Sequence, residues 1–129
     1  MTVTPIYAAL CGFVLVLLSI RVIRARRRFD VALGDAGERQ ILRAMRVQAN
    51  FAEYAPIALV LLLLAELQGF HLLLLHGLGV FLVLGRLLHA FGVRREPEDF
   101  RFRVAGMTLT FIVILGAAAL NLAGAVLLW

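Results

Sequence analysis

The chain has 129 residues, of which 63% are hydrophobic and 16% charged, and its mean hydropathy is +0.97. A chain this apolar is neither disordered nor an ordinary water-soluble domain, and its length predicts a single domain over residues 1–129. The formal net charge is +5, and all thirteen basic residues are arginine. The arginines form two blocks between long apolar runs, which indicates membrane topology and no nucleic-acid partner.

The first predicted helix covers residues 3–28. No charged side chain precedes Arg21, and five arginines lie between Arg21 and Arg28. A cleaved signal peptide carries its positive charge before the apolar run, whereas here the charge follows it. The pattern therefore predicts a retained transmembrane helix whose arginine end stays in the cytoplasm.

The second and third helices are predicted over residues 37–67 and 70–92. The apolar region from Ala55 to Leu88 is too long for one membrane crossing, and the dipeptide Gln68-Gly69 interrupts it. We therefore expect a tight turn at this dipeptide between two spans. The second helix begins well before its apolar part, so it should extend beyond the lipid.

The fourth helix is predicted over residues 103–129, because no charged side chain follows Arg103. Almost all arginines lie near the connections between helices 1 and 2 and between helices 3 and 4. Arginines resist translocation, so these loops should be cytoplasmic and both termini periplasmic. The fold class is therefore an all-α, integral membrane four-helix bundle, which we expect in a bacterial inner membrane.

A stripe of polar side chains runs along one face of the second predicted helix. Its members are spaced by four, three, four and three residues: Arg39, Arg43, Arg46, Asn50 and Glu53, with Tyr54 beside them. A charge within a membrane span costs a few kcal/mol unless it meets a partner or water, so the stripe should face protein. Glu53 is expected to pair with an arginine, either Arg46 or one on a neighbouring helix.

Further polar side chains should lie at the same depth as this stripe. Arg86 and His89 share a face of the third helix, and Arg103 begins the fourth. Together these groups predict a pocket for an anionic or zwitterionic small molecule, in which a bound thiol would ionise more readily. A purely structural role between helices fits Arg46, Asn50 and Glu53 equally well. The three histidines lie at two depths without further ligands at suitable spacing, so no metal site is expected.

The segment Arg46–Pro56, RVQANFAEYAP, resembles the helix 2 signature of the MAPEG family, the membrane-associated proteins in eicosanoid and glutathione metabolism. It is most similar to the leukotriene C4 synthase version of that signature. Three shorter segments resemble the end of the family's first helix, the end of its third and the start of its fourth: Val22–Phe29, Gly85–His89 and Arg103–Met107. The similarity covers nearly the whole chain, in the form of small bacterial members.

The resemblance implies a homotrimer with glutathione, as co-substrate, bound between neighbouring subunits. One subunit would contribute Arg46, Gln48, Asn50, Glu53 and Tyr54, with Arg26 reaching the glutathione carboxylates and His89 coming from the neighbour. Arg103 would be the catalytic group that stabilises the thiolate, with Arg101 as a competitor for that role. Arg27 would lie on the side of the lipid substrate, and Val93 replaces a tyrosine that binds glutathione in some members.

The activity implied is a glutathione transferase or peroxidase that acts on hydrophobic, lipid-like electrophiles dissolved in the bilayer. The alternative is a non-enzymatic lipid-binding or scaffold member of the same fold. A small multidrug exporter with four spans is a weaker fit. That class needs a membrane-embedded carboxylate in its first helix, and residues 3–28 contain no acidic residue.

Overall fold

The computed structural model describes residues 2–94 and 97–127 and contains four α-helices. They are α1 (Thr4–Arg28), α2 (Arg39–Leu67), α3 (Leu72–Arg94) and α4 (Phe100–Leu127). Each is long and apolar enough to cross a membrane, which confirms the predicted all-α class with four helices capable of spanning a membrane. The outermost positions predicted for the domain and for the fourth helix, residues 1, 128 and 129, lie outside the described residues.

The first two helix boundaries follow from local backbone chemistry. Pro5 lies in the first turn of α1, where the amide hydrogens have no partner within the helix. The helix ends where Asp30 adopts a φ of 54° and the Val31 amide bonds the Arg26 carbonyl at 2.9 Å. Gly37 has a φ of 79°, which delays the start of α2 to Arg39, two residues after the predicted start.

The predicted tight turn at Gln68-Gly69 is present between α2 and α3. Gly69 has a φ of 82°, and the Phe70 amide bonds the Ala65 carbonyl at 3.3 Å. A left-handed glycine of this kind stops a helix and reverses the chain within a few residues. The fourth helix starts at Phe100, three residues before the predicted start, so Arg103 lies within its first turn.

The α2 and α3 helices form the middle of the bundle. The α1 helix packs against one side of this pair and α4 against the other, and no contact joins α1 to α4 among the described residues. The bundle thus has an α1 side and an α4 side. We call the end that carries Arg28, Arg39, Arg94 and Arg103 the arginine end.

The outer surface of the bundle is apolar. Phe13, Leu115 and Leu122 are 69%, 70% and 70% exposed, whereas Ala58 and Ala117 are fully buried between helices. Apolar exposure of this extent is unfavourable in water and neutral in lipid, where helices associate through close packing of small side chains. The pattern of burial therefore fits a protein whose solvent is the bilayer.

The opposite end of the bundle is joined by a carboxylate that the sequence analysis did not single out. Glu66, in the last turn of α2, accepts hydrogen bonds from the backbone amides of Thr2, Val3 and Thr4. These amides begin α1 and have no acceptor within the helix. The carboxylate satisfies them and joins the start of α1 to the end of α2, so its charge has a structural explanation.

Two glycines allow α3 and α4 to approach closely. A Cβ atom on Gly106 would lie 2.5 Å from the Gly85 carbonyl oxygen and 2.5 Å from the His89 amide nitrogen. Both of those atoms belong to the backbone, so they cannot move aside cheaply. The contact sets the spacing of the two helices beside His89.

We predict that Gly106→Ala separates α3 from α4 and lowers the unfolding temperature of the detergent-solubilised protein by several degrees. Overpacking of this kind costs about 1–3 kcal/mol. The matched control is Gly116→Ala on the same helix, where the nearest atom to a new Cβ is Leu78 Cδ2 at 3.5 Å. Circular dichroism during heating measures both variants, and equal unfolding temperatures would contradict the close-contact explanation.

Candidate functional site

A cavity of about 370 Å³ opens on the α4 side of the bundle, near the arginine end. We call it the polar cavity. Its lining comprises Arg39, Leu42, Arg43, Arg46, Asn50, Glu53, His89, Val93, Glu98 and Arg103. The helical spacing of the α2 residues brings their side chains to one face, and that face meets α3 and α4. The size is that of a small-molecule site.

The polar cavity contains charges of both signs. Four arginines and two carboxylates line it, an excess of two positive charges among the described residues. Arg103 Nη1 donates to Glu98 Oε1 at 3.0 Å, and the Glu98 side chain is 18% exposed. A ligand with more negative than positive charge is the natural complement of such a lining.

The structure does not show the expected pairing of Glu53 with an arginine. Within residues 2–94 and 97–127, no ion pair or hydrogen bond joins the Glu53 carboxylate to Arg46 or to another guanidinium. Glu53 and Arg46 are about two helical turns apart on the same face, and both side chains are exposed to the cavity. Each can therefore interact with a guest molecule.

A buried guanidinium lies behind the cavity wall. Arg86 is 2% exposed, and its Nη1 donates to Asn50 Oδ1 at 2.7 Å. Its Nη2 donates to Thr110 Oγ1, also at 2.7 Å, and that hydroxyl donates in turn to the Gly106 carbonyl. Arg86 thereby connects α3 to both α2 and α4. The sequence analysis placed it near the site but did not assign it this role.

Asn50 is oriented by this network. Since its Oδ1 accepts from Arg86, its amide nitrogen Nδ2 is the group left to donate toward the cavity. Tyr54 does not line the cavity. Its ring packs against Phe111 of α4 at a centroid distance of 5.6 Å, and the Arg86 guanidinium carbon lies 5.8 Å from its centroid.

The structure places His89 in the same chain's polar cavity, where it is 5% exposed. The expectation that His89 contacts the ligand of a neighbouring subunit stays a prediction. Within one chain, His89 lies beside Arg103 because α3 packs directly against α2 and α4. The helical pattern alone does not define which helices are neighbours.

Arg26 and Gln48 are not brought to the polar cavity of their own chain. Gln48 Nε2 donates to Ser19 Oγ at 2.7 Å, between α2 and α1. Arg26 Nε donates to the Gly34 carbonyl at 3.2 Å, in the connection between α1 and α2. Both residues therefore lie on the α1 side of the bundle.

The two competing arginines at the start of α4 differ in position. Arg103 lines the polar cavity, whereas Arg101 is exposed and lies outside that lining. Arg27 is likewise exposed and outside it. Over the described ranges, the structure brings together no group of three histidine, cysteine, aspartate or glutamate side chains that could hold a metal ion.

Three charged lining residues, Arg39, Arg43 and Glu98, were not among the sequence-predicted ligands. Arg39 and Arg43 belong to the predicted stripe, and Arg43 Nη1 also donates to the Val93 carbonyl at 3.1 Å. Glu98 lies in the connection before α4. In the sequence, Glu98 is noticeable only as an acidic residue five positions before Arg103. This spacing becomes informative once the start of α4 is known.

Comparison with known proteins agrees with this architecture. The sequence profile of the MAPEG family matches residues 4–123. The chain is 37% identical over 120 residues to "Inner membrane protein YecN" of Escherichia coli strain K12, covering 93% of this chain and 90% of that protein. The protein of the same name from Escherichia coli O6:H1 gives the same values. The four apolar helices and the family match show that this chain is an integral membrane protein of the MAPEG family.

Proposed function

We propose that the protein is a membrane glutathione transferase or peroxidase, which uses glutathione against hydrophobic electrophiles taken from the bilayer. The observation that carries the proposal is the polar cavity, where Arg46, Asn50, Glu53 and Arg103 converge in a MAPEG chain. Glutathione is a flexible peptide with two carboxylates, one ammonium group and a thiol. Its net charge and its mixture of signs match the cavity lining.

The individual contacts follow from the donors and acceptors available. The Glu53 carboxylate would accept from the glutathione ammonium group, and Arg46 would donate to a carboxylate. Asn50 Nδ2 would donate to a peptide carbonyl, in the orientation that Arg86 holds through Asn50 Oδ1. The bonds made by Glu53 and Arg46 would be charge-assisted, which makes them stronger than hydrogen bonds between neutral groups.

Arg103 is the group we assign to thiol activation. A guanidinium near the glutathione sulfur stabilises the thiolate relative to the thiol, and the proton leaves to solvent at the arginine end. The thiolate then attacks the electrophile and forms a carbon–sulfur bond, while the electron pair moves to the leaving group or to the adjacent electron-withdrawing group. With a lipid hydroperoxide, the thiolate attacks the terminal oxygen and the O–O bond breaks, which gives glutathione sulfenic acid and an alkoxide that takes up a proton. The thiolate of a second glutathione then attacks the sulfenic sulfur, forms the disulfide and expels hydroxide, which leaves as water.

Glu98 opposes this activation. Its carboxylate bonds Arg103 at 3.0 Å and neutralises part of the positive charge that the thiolate would feel. Both Arg103 and Glu98 line the cavity, so a bound sulfur and the Glu98 carboxylate compete for one guanidinium. Without a ligand, the Glu98 carboxylate would hold the Arg103 side chain in place. With glutathione bound, it would weaken the stabilisation of the thiolate by Arg103.

The active assembly is proposed to be a homotrimer with one site between each pair of neighbours. This assignment explains why Arg26 and Gln48 lie on the α1 side, away from the cavity of their own chain. From there they would reach the polar cavity of the adjacent protomer. Hydrophobic substrates and membrane lipids would contact the same interface from the bilayer.

The arginine end is proposed to face the cytoplasm, with both termini in the periplasm of a bacterial inner membrane. Arginines at the ends of spans resist translocation, and they concentrate at the connections between α1 and α2 and between α3 and α4. This orientation would open the polar cavity toward the cytoplasm. The Escherichia coli relatives are named as inner membrane proteins.

A second candidate is a lipid-binding or scaffold protein without glutathione chemistry. Two features favour it: Val93 puts an apolar side chain in the cavity wall, and Glu98 already occupies Arg103. The two functions differ in their response to glutathione. A scaffold would show neither thermal stabilisation by glutathione nor formation of the thiolate.

Glutathione is predicted to raise the unfolding temperature of the solubilised wild-type protein, and Glu53→Gln or Arg46→Ala should abolish the rise. A ligand at one hundred times its Kd stabilises by about 2.7 kcal/mol, which corresponds to several degrees. Arg101→Ala is the matched control, because Arg101 carries the same charge outside the cavity, and it should keep the full effect. Unchanged stabilisation in both site variants would reject the assignment.

Arg103→Leu is predicted to remove the ultraviolet difference signal of bound glutathione thiolate while leaving most of the binding intact. Arg101→Leu should retain the signal. Glu98→Gln should move the appearance of the thiolate to lower pH, because Arg103 loses its competing anion. A signal that survives Arg103→Leu and disappears in Arg101→Leu would transfer the role to Arg101.

Native mass spectrometry of the solubilised protein is predicted to show three chains per particle. The Arg26→Gln variant should keep that stoichiometry and bind glutathione more weakly, because the lost guanidinium would contact a neighbour's ligand. A stable dimer, or unchanged glutathione binding by the Arg26 variant, would contradict the shared site.

A further inference from the structure

A second cavity lies on the α1 side of the bundle and has a different chemical character. It measures about 520 Å³ and is enclosed by the arginine-end portions of α1, α2 and α3. Five arginines line it: Arg21, Arg24, Arg28, Arg43 and Arg94. We call it the arginine cavity. It shares Arg43 and Val93 with the polar cavity, so those two residues form part of the wall between the sites.

The arginine cavity lacks the balancing charges of the polar cavity. No carboxylate occurs in its lining, as far as the described part of the chain extends. Arg43 donates to the Val93 carbonyl, and the other four arginines, from α1 and α3, are the groups that would bind an anion. Arg21 and Arg94 come from different helices and are close enough to repel each other. A multivalent oxyanion between them would relieve this repulsion through charge-assisted hydrogen bonds.

An apolar groove continues from this cavity along the outside of the bundle. It has a volume of about 530 Å³ and runs between α1 and α3. Leu18, Arg21, Arg24, Ala90 and Arg94 line both spaces, so the cavity and the groove are continuous. Beyond the arginines, the groove wall is aliphatic and aromatic, with Leu17, Leu84, Leu87 and Phe91 among its residues. We call it the acyl groove.

The length of the acyl groove matches one leaflet of a membrane. It extends from Arg24 to Val14 on α1 and from Arg94 to Leu84 on α3, which are ten residue steps on each helix. At 1.5 Å per residue this is about 15 Å, half of a hydrocarbon core of about 30 Å. The arginines occupy one end of this length, so a ligand whose charged group lies among them would place about 9 Å of apolar chain along the groove from Ile20 to Val14, toward the bilayer centre.

We propose that the arginine cavity and the acyl groove together bind one anionic glycerophospholipid. Its phosphate lies among Arg21, Arg24 and Arg94, and one acyl chain lies between α1 and α3. A zwitterionic headgroup fits less well, because its cationic part would enter a cavity lined by arginines. The bound lipid would bridge α1 and α3, which make the smallest contact of the helix pairs that touch.

Within one chain this site is distinct from the polar cavity, although the two share Arg43 and Val93 and the proposed trimer also uses Arg26 and Gln48 of the α1 side. It lies on the other side of the α2 and α3 pair, and its binding can be measured without any thiol present. A protein that fails to bind glutathione would not contradict the lipid proposal. A protein that fails to bind the lipid would not contradict the proposed glutathione function.

The test is lipid binding by the delipidated, detergent-solubilised protein, measured by native mass spectrometry and by thermal stabilisation. Phosphatidylglycerol is compared with phosphatidylcholine of identical acyl chains. We expect tighter binding of phosphatidylglycerol. Each basic residue near an anionic headgroup contributes about fivefold in affinity, so Arg21→Gln combined with Arg94→Gln should weaken phosphatidylglycerol binding by roughly 25-fold. Phosphatidylcholine binding should change much less.

Matched variants separate a built site from general surface charge. Arg27 lies on the same helix as Arg21 but outside both linings, so Arg27→Gln should change phosphatidylglycerol binding by less than about twofold. Leu17→Trp should fill the acyl groove and displace the lipid. Val16→Trp adds the same ring at an exposed neighbouring position outside the groove and should have no such effect.

Three outcomes would overturn the proposal. Equal affinity for the two lipids would remove the role of the phosphate and arginines. An equal loss in the Arg27 variant would show nonspecific attraction. Inorganic phosphate that stabilises wild type as strongly as phosphatidylglycerol, with no effect of Leu17→Trp, would identify a site for free phosphate and not for a lipid. If the double variant fails to fold, Arg24→Gln is compared with Arg27→Gln, and Leu17→Trp with Val16→Trp, in the same binding measurements.

Discussion

The bundle depends on the buried guanidinium of Arg86. A charge at this position inside a membrane protein is costly unless polar groups surround it, and Asn50 and Thr110 provide them at 2.7 Å each. Because those acceptors come from α2 and α4, the need to satisfy one side chain sets the relative position of three helices. The same three helices enclose the polar cavity, so the constraint that holds the fold also shapes the site.

The two sides of the α2 and α3 pair carry different chemistry. On the α4 side, four arginines and two carboxylates line the polar cavity. On the α1 side, arginines of α1 and α3 surround a space that continues into an apolar groove. Arg43 lies between the two spaces. The polar cavity has both positive and negative side chains, whereas the arginine cavity has only positive ones among the described residues. This difference is why different ligands are proposed for the two cavities.

Much of the local structure follows from the amino-acid pattern. Long charge-free runs and the Gln68-Gly69 interruption are sufficient for four helices, and the spacing of Arg39, Arg43, Arg46, Asn50 and Glu53 is sufficient for a common polar face. The pattern does not reveal partners across helices. Contacts across helices depend on which helix lies beside which. Examples are the hydrogen bonds that Glu66 accepts from the start of α1, the position of His89 beside Arg103, and the absence of an arginine partner for Glu53 among the described residues.

The sequence by itself determined four membrane helices and a polar face on the second, because hydropathy and helical periodicity are properties of consecutive residues. It also determined the family, through the segment Arg46–Pro56 and the match over residues 4–123. Only the tertiary structure decided that α1 and α4 lie on opposite sides of α2 and α3, which separates Gln48 from Asn50 although they are two positions apart. The physical reason is that packing between helices rests on close contacts such as Gly85 with Gly106, and these join residues distant in the chain.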